Sequence, residues 1–374
     1  MDVTTLDRAP TKDTAMDMTP LVLRPIGPVP KPIAPAKSSD DKRLSHDLPV
    51  RAQPSLTFFV ELPSDELAQI SSPETVTTLA RRQAAVSMAL LDLDGRRAEV
   101  IRQFELAGIA VTAWMLLPLS DGYWLTADNA HLALAQWQRV AQWADREGLR
   151  LATVGLDIEP PHDDTVALVQ RPVRTAARLL LRRRTQLHMH QAGRHFDALV
   201  AAIRHTGRRV EAYHLPFALD DRASGSTLLG QILGTPRFGT DRDVVMLYAS
   251  AVPKPFGHGL VAAYGPQAQA IAVGITGGGV RSLQPAFAAR ELAAPQLVTE
   301  LRTAARHCND LYVFSLEGCV AKNMVAMVCQ ADLSPLPADP SAAALATKIA
   351  RRVLQLALRA ATLAEGSDSS TDKI

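Results

Sequence analysis

The chain has 374 residues, 47% of them hydrophobic, with 40 Lys and Arg against 38 Asp and Glu, which is enough apolar material for a large core. A net charge of +2 gives no general attraction to nucleic acid or to an anionic membrane surface. Cys308, Cys319 and Cys329 are odd in number and lack close ligand spacing, and no run of about 18 apolar residues occurs, so neither a disulfide framework, a zinc site nor a membrane span is expected. With no secretory apolar segment at the start, the expected location is a reducing cytoplasm.

Residues 1–52 are rich in proline, from Pro20 through Pro25, Pro28, Pro30 and Pro32 to Pro35, and poor in large apolar groups. Such a segment cannot bury enough surface to fold alone and is expected to be a disordered arm. From residue 53 to 335 apolar, β-rich runs alternate with amphipathic stretches. The predicted strands are Leu56–Leu62, Ala85–Leu93, Val111–Leu117, Thr153–Ile158, Val210–Leu215, Val244–Ala249, Ala270–Ile275 and Leu311–Leu316. Gly108, Gly148 and Gly207 mark helix ends, Ser72 before Pro73 marks a start, and Ala130, Leu134, Trp137, Ala141 and Ala144 form one helical stripe. Continuous apolar strands separated by helices imply a parallel sheet covered on its outer face, and eight repeats favour a single closed (β/α)8 TIM barrel over an open doubly wound sheet. No repeat at the level of individual residues accompanies this alternation.

Between strands four and five, residues 163–206 exceed one crossover helix and predict an extra helical insertion broken at Pro172. It carries the basic run Arg182, Arg183 and Arg184, read as a solvated helix face, and His188, His190 and His195, whose spacing does not stack metal ligands. Gly225–Gly234 is placed to act as a lid. Residues 336–365 predict a C-terminal helix, over Ser341–Leu363, packed on the barrel, and 366–374 a polar disordered tail.

The C-terminal ends of barrel strands assemble the active sites of this fold, and polar groups collect there. Glu61 follows strand one, Asp92 and Asp94 strand two, Asp157 and Glu159 strand four, His214 strand five, Tyr248 strand six, Thr276 strand seven and Glu317 strand eight. Asp94 before Gly95 also suits a helix cap. Trp114 on strand three is followed by Asp121, Tyr123 and Trp124, whose rings could stack on a sugar face. Asp157 and Glu159 are two residues apart at the end of a buried strand, so they share one face, and acids in that position need partners or a chemical use. Carboxylates with aromatics read as a carbohydrate site, with no cofactor and no metal.

The run Leu156-Asp157-Ile158-Glu159 resembles the last part of the DxxDxDxE signature of family 18 glycoside hydrolases, the chitinase-like barrels. Met246-Leu247-Tyr248 is similar to the start of that family's MxYD motif, and Val313-Phe314-Ser315-Leu316-Glu317 to the segment with its floor tryptophan. The resemblance implies Glu159 as the acid that protonates the leaving oxygen, Asp157 as its orienting partner, and Tyr248 as a hydrogen-bonding group near the reacting sugar, whose own N-acetyl group often serves as nucleophile in that family. Ala152 and Gly155 replace the two earlier aspartates, Ala249 the aspartate after the tyrosine, and Leu316 the tryptophan; strand three lacks the family's Ser and paired Gly.

Without an N-acetyl nucleophile a second carboxylate is needed. Strands four and eight face each other across a ring roughly 15 Å wide, so Glu159 and an inward Glu317 are expected about 7 to 9 Å apart, which overlaps the spacing of an inverting pair. Asp92 is a further candidate base, while Glu61, Trp114, Trp124 and His214 are expected to contact substrate. Two other readings stand beside this one: a phosphosugar lyase or isomerase using the turn Thr276-Gly277-Gly278-Gly279, and a carbohydrate-binding barrel without catalysis. The sugar, its linkage and the oligomeric state are not encoded in any motif.

Overall fold

A computed structural model describes residues 53–371 except 253–256, 280–283, 285–287 and 339–340; the Pro-rich arm lies outside the described residues. Eight parallel strands close into a barrel in chain order. They are β1 (Ser55–Val60), β2 (Ala85–Ala89), β3 (Val111–Met115), β4 (Thr153–Ile158), β5 (Arg209–His214), β6 (Arg242–Met246), β7 (Ala270–Gly274) and β8 (Asp310–Phe314). β8 closes on β1 with Ser55 opposite Asp310. Several predicted strands end early, and β8 shows why. Ser315 takes an extended conformation and its side chain accepts from Gly318 N, which caps a helix over Leu316–Ala321. Asp94 likewise caps the helix Gly95–Leu106 through Arg97 N.

Period-2 alternation divides each strand between two cores. Outward residues such as Phe58, Val60, Leu156 and Ile158 pack beneath the helices, while inward Phe59, Trp114, Tyr213 and Tyr312 fill the barrel. Phe59 meets Tyr213 edge-on at 4.9 Å and Trp114 at 5.2 Å between ring centroids. The polar ends of this plug are satisfied internally: the hydroxyls of Tyr213 and Tyr312 each donate to buried Glu211 at 2.8 Å, and Ser87 Oγ lies 2.6 Å from Tyr213 Oη.

Gly155 belongs to this plug. A Cβ there would lie 2.1 Å from Tyr213 Oη, so the space beside Gly155 is occupied by that tyrosine. Gly155→Ala is therefore expected to cost about 1–3 kcal/mol by overpacking, measured by urea denaturation, and wild-type stability would show that the plug can yield.

The insertion comprises His162–Gln170, Pro172–Leu181 and Gln186–His205, the last burying Phe196, Leu199, Val200 and Ile203. Arg184 is not part of a solvated face: its Nε donates to Asp128 Oδ1 at 2.8 Å and its Nη1 to Ile232 O at 3.1 Å, tying the insertion to its neighbours. The C-terminal helix runs Ala342–Thr371. Its attachment is polar. Asp220, fully buried, accepts from Arg351 Nε at 2.7 Å, Gln355 Nε2 at 3.0 Å and Tyr264 Oη at 2.6 Å, with the guanidinium 4.0 Å above the Tyr264 ring. Among the described residues, no helix is long and apolar enough to cross a membrane.

Candidate active site

The strand ends surround a cavity of about 250 Å³ resting on the aromatic plug. Phe59, Trp114 and Tyr213 form its floor, Trp124, Tyr248 and Phe314 contribute rings higher up, and Leu233, from the element predicted as a lid, reaches it as well. Of the carboxyl side chains that line this apolar space, Glu291 is paired with Lys322 at 2.8 Å. The other three, Glu61, Asp157 and Glu159, have no cation beside them among the described residues.

Asp157 points inward because its neighbours Leu156 and Ile158 take the outward positions of β4. Its Oδ2 accepts from Trp114 Nε1 at 3.2 Å, whereas Oδ1 has no hydrogen-bond partner. Glu159, just beyond the strand, is close enough to exchange a proton with it. Burial raises both, Asp157 well above the usual carboxylate range and Glu159 to about 7, and the negative charge of Glu159 adds to the effect on Asp157.

Glu61 follows β1 on another wall and accepts from Tyr123 Oη at 2.5 Å. Tyr123 reaches it from the β3 loop with φ +65°, next to Gly122 at φ +104°, and the loop is anchored where Leu125 N donates to Asp157 O at 2.9 Å. Such a backbone at a tyrosine is uncommon and holds the hydroxyl over the carboxyl. Burial raises Glu61 to about 8 despite that hydrogen bond.

Glu317 departs from the sequence expectation. Because Ser315 starts a helix, Glu317 sits in its first turn, with Oε1 accepting from Glu61 N at 3.2 Å, and it does not line the cavity. Burial raises it to about 7, and Oε2 has no partner. Gly277, Gly278 and Gly279 have φ of +122°, +82° and +80°, and Gly278 packs against this carboxyl: a Cβ on Gly278 would lie 2.4 Å from Glu317 Oε1. Gly278 therefore makes room for an acid.

Asp92 and His214 also lie elsewhere. Asp92 holds fully buried Arg97 through Nε at 2.8 Å and Nη2 at 2.9 Å, and accepts from Ser64 N at 3.0 Å. Tyr213 takes the inward position on β5, so His214 turns outward, 3.5 Å from Asp243. Asp157, Glu159, Glu61, Trp114, Trp124 and Tyr248 thus converge, while Glu317, Asp92 and His214 do not. Sequence reasoning misses Phe59 and Phe314 and the bond from Tyr123 to Glu61; inward parity on β1 signals Phe59, but no local pattern signals the bond.

None of the four acids Glu61, Asp157, Glu159 and Glu317 owes stabilisation to a cation among the described residues. Their raised values mean that the folded protein binds more protons than the unfolded chain from about pH 4.5 to 8. Their contribution to stability is complete below the unfolded carboxylate range and is lost as pH rises through 7 to 8. Glu61→Gln is expected to stabilise the protein by up to about 4 kcal/mol at pH 8.5 and by less than about 1 kcal/mol at pH 5, since the rise from 4.5 to about 8 is worth about 1.4 kcal/mol for each tenfold change in proton affinity. Urea denaturation at the two pH values checks this, and an equal effect at both would contradict it.

Fold and site together define a (β/α)8 barrel with an acidic, aromatic cavity at the C-terminal ends of its strands. Solved structures similar to this chain include a chitinase from Chromobacterium violaceum (11% identity, TM-score 0.44, covering 75% of this chain and 99% of the other). Others are the PgaB (BpsB) glycoside hydrolase domain from Bordetella bronchiseptica (10%, 0.42, 76% and 99%) and a D-allulose 3-epimerase from Methylomonas sp. (9%, 0.39, 80% and 98%). At these identities the likeness is one of fold. No protein-family model and no curated protein matches the chain.

Proposed function

We propose that this barrel is a glycoside hydrolase-like enzyme that cleaves a glycosidic bond by carboxylate acid/base catalysis. The observation that carries the reading is the pair of buried Asp157 and half-buried Glu159 at the end of β4, facing an aromatic cavity with a proton to share near neutral pH. Glu159 is the acid that protonates the leaving oxygen, since a group raised to about 7 keeps its proton in about half of the molecules at pH 7, where an ordinary glutamate is almost fully ionised. Asp157, fixed by the Trp114 indole, accepts from Glu159 and orients it. Glu61, held by Tyr123, takes the part of second carboxyl that the sequence suggests for Glu317. Tyr248 and the ring faces bind the sugar.

The phosphosugar alternative is opposed by charge. A dianionic phosphate would face Glu61, Asp157 and Glu159 with no Lys or Arg among the described lining residues, and Gly278 of the glycine turn already packs on Glu317. A panel of oligosaccharides incubated with the protein, followed by reducing-end and product-anomer analysis, tests the proposal. New reducing ends that disappear with Glu159→Gln support it. Saturable binding with no product from any glycan would replace it by the non-catalytic binding barrel.

A further inference from the structure

The C-terminal helix is amphipathic in the opposite sense to a helix that merely covers a barrel. Its inner face is largely polar, with Thr347, Arg351 and Gln355 buried beside Ala344 and Leu358. On its outer side Leu345, Ile349, Val353, Leu356 and Leu363 are each 52% to 76% exposed. A covering helix ordinarily turns such side chains inward. Single exposed leucines are commonplace, but five large aliphatic side chains in one row form a patch of the kind that marks an interaction site.

The row has the spacing of a coiled-coil seam. Ile349, Leu356 and Leu363 recur every seven residues as d positions, and Ala346, Val353 and Ala360 fill the a positions between them. The flanks differ: Leu345, Arg352 and Arg359 stand at g, Ala350 and Ala357 at e. The barrel is gripped from the far side of the helix, by Ala344, Arg351 and Leu358, also seven residues apart. Spacing alone fits a helix packed by either face; the exposures leave the seam outward.

We infer that this seam pairs with the same seam of a second copy of the chain, the two helices side by side and parallel about a two-fold axis.

From Leu345 to Leu363 the seam is about 27 Å long at about 1.5 Å per residue. Two such faces laid together bury about 1,200 Å² in total, the lower edge of what a specific interface needs. In a parallel pair the g flank of one helix meets the e flank of the other, so the stems of Arg352 and Arg359 lie over alanines while their charges stay in water. Arg359 is already steadied at its tip, where Nη2 donates to Ala223 O at 3.0 Å. An antiparallel pair sets g against g and brings the arginines together, and residues 342–364 contain no Asp or Glu to separate them. The seam points away from the barrel, so the two barrels stand on opposite sides of the helix pair. An anionic membrane suits the face less well, since the exposed arginines line one flank only and no aromatic ring lies in the row.

Sedimentation equilibrium of the full chain, from about 1 to about 200 µM, tests the pairing. The expected result is a monomer–dimer equilibrium with Kd of about 1–100 µM, as befits a small interface. Leu356→Glu sets two carboxylates against each other in the seam and is expected to weaken the dimer at least 10-fold, with an unchanged far-UV circular dichroism spectrum because the side chain is exposed. Parallel pairing sets position 349 against itself, so Ile349→Cys is expected to give an intermolecular disulfide on mild oxidation that wild type treated alike does not form. A wild type that stays monomeric throughout, a dimer untouched by Leu356→Glu, or a dimer in which Ile349→Cys fails to cross-link would overturn the inference. A monomer carried down by phosphatidylserine vesicles and released by Leu356→Glu would give the face to a membrane instead.

Discussion

Glu159→Gln is expected to lower kcat on a cleaved glycan by about 10²- to 10⁴-fold, the range supplied by a positioned general acid. The amide keeps the shape of the side chain and can still donate to Asp157, but it has no acidic proton for a departing oxygen. The cavity walls come from six other strands and their loops, so substrate binding should change far less than kcat. In the wild type, kcat/KM on a substrate whose own ionisation is constant should fall as pH rises through about 7, where Glu159 loses its proton. Steady-state kinetics of both proteins over pH 5 to 9 would read this, and a variant within a few-fold of wild type would remove Glu159 from the mechanism.

The largest expected effect on stability lies at the C-terminal helix. Arg351→Ala takes from Asp220 a charged partner at 2.7 Å and leaves a fully buried carboxyl with two neutral donors, Gln355 and Tyr264. Removing one member of a buried ion pair costs about 3–5 kcal/mol, mostly because the other charge stays buried. Arg351 Nη2 also holds Gln267 Oε1 at 2.6 Å, so the helix loses its tie to the β6–β7 connection. Urea denaturation should show the loss, and adding Asp220→Asn should recover part of it. A single variant as stable as wild type would mean that the apolar contacts of the helix suffice.

The barrel is legible in the sequence because parallel strands buried on both faces read as unbroken apolar runs, as Ala270–Gly274 does. The Asp157–Glu159 pair is legible for the complementary reason, since acids at the end of such a run stand out. Parity decides the rest of each strand. Inward Glu211 and Tyr213 put His214 outside, a placement the sequence contains once the face of one residue is known. Glu317 defeats a strand-based reading because Phe314 ends the strand and Ser315 begins a helix, so one capping serine rotates the glutamate out of the cavity. Gly155 reads in one dimension as a lost acid and in three as the place for a tyrosine 58 residues later in the chain, Tyr213. The bond from Tyr123 to Glu61 spans 62 positions and two strands, beyond the reach of any local pattern.

The protonation state of Glu159 is the sharpest test of the proposed chemistry. In protein labelled with ¹³C at glutamate carboxyls, the resonance lost in Glu159→Gln identifies the group, and its titration can be followed from pH 4 to 9. A midpoint near 7 is expected, raised by burial beside Asp157. A midpoint near the ordinary 4.5 would show an ionised, solvated carboxylate and contradict the proposed acid.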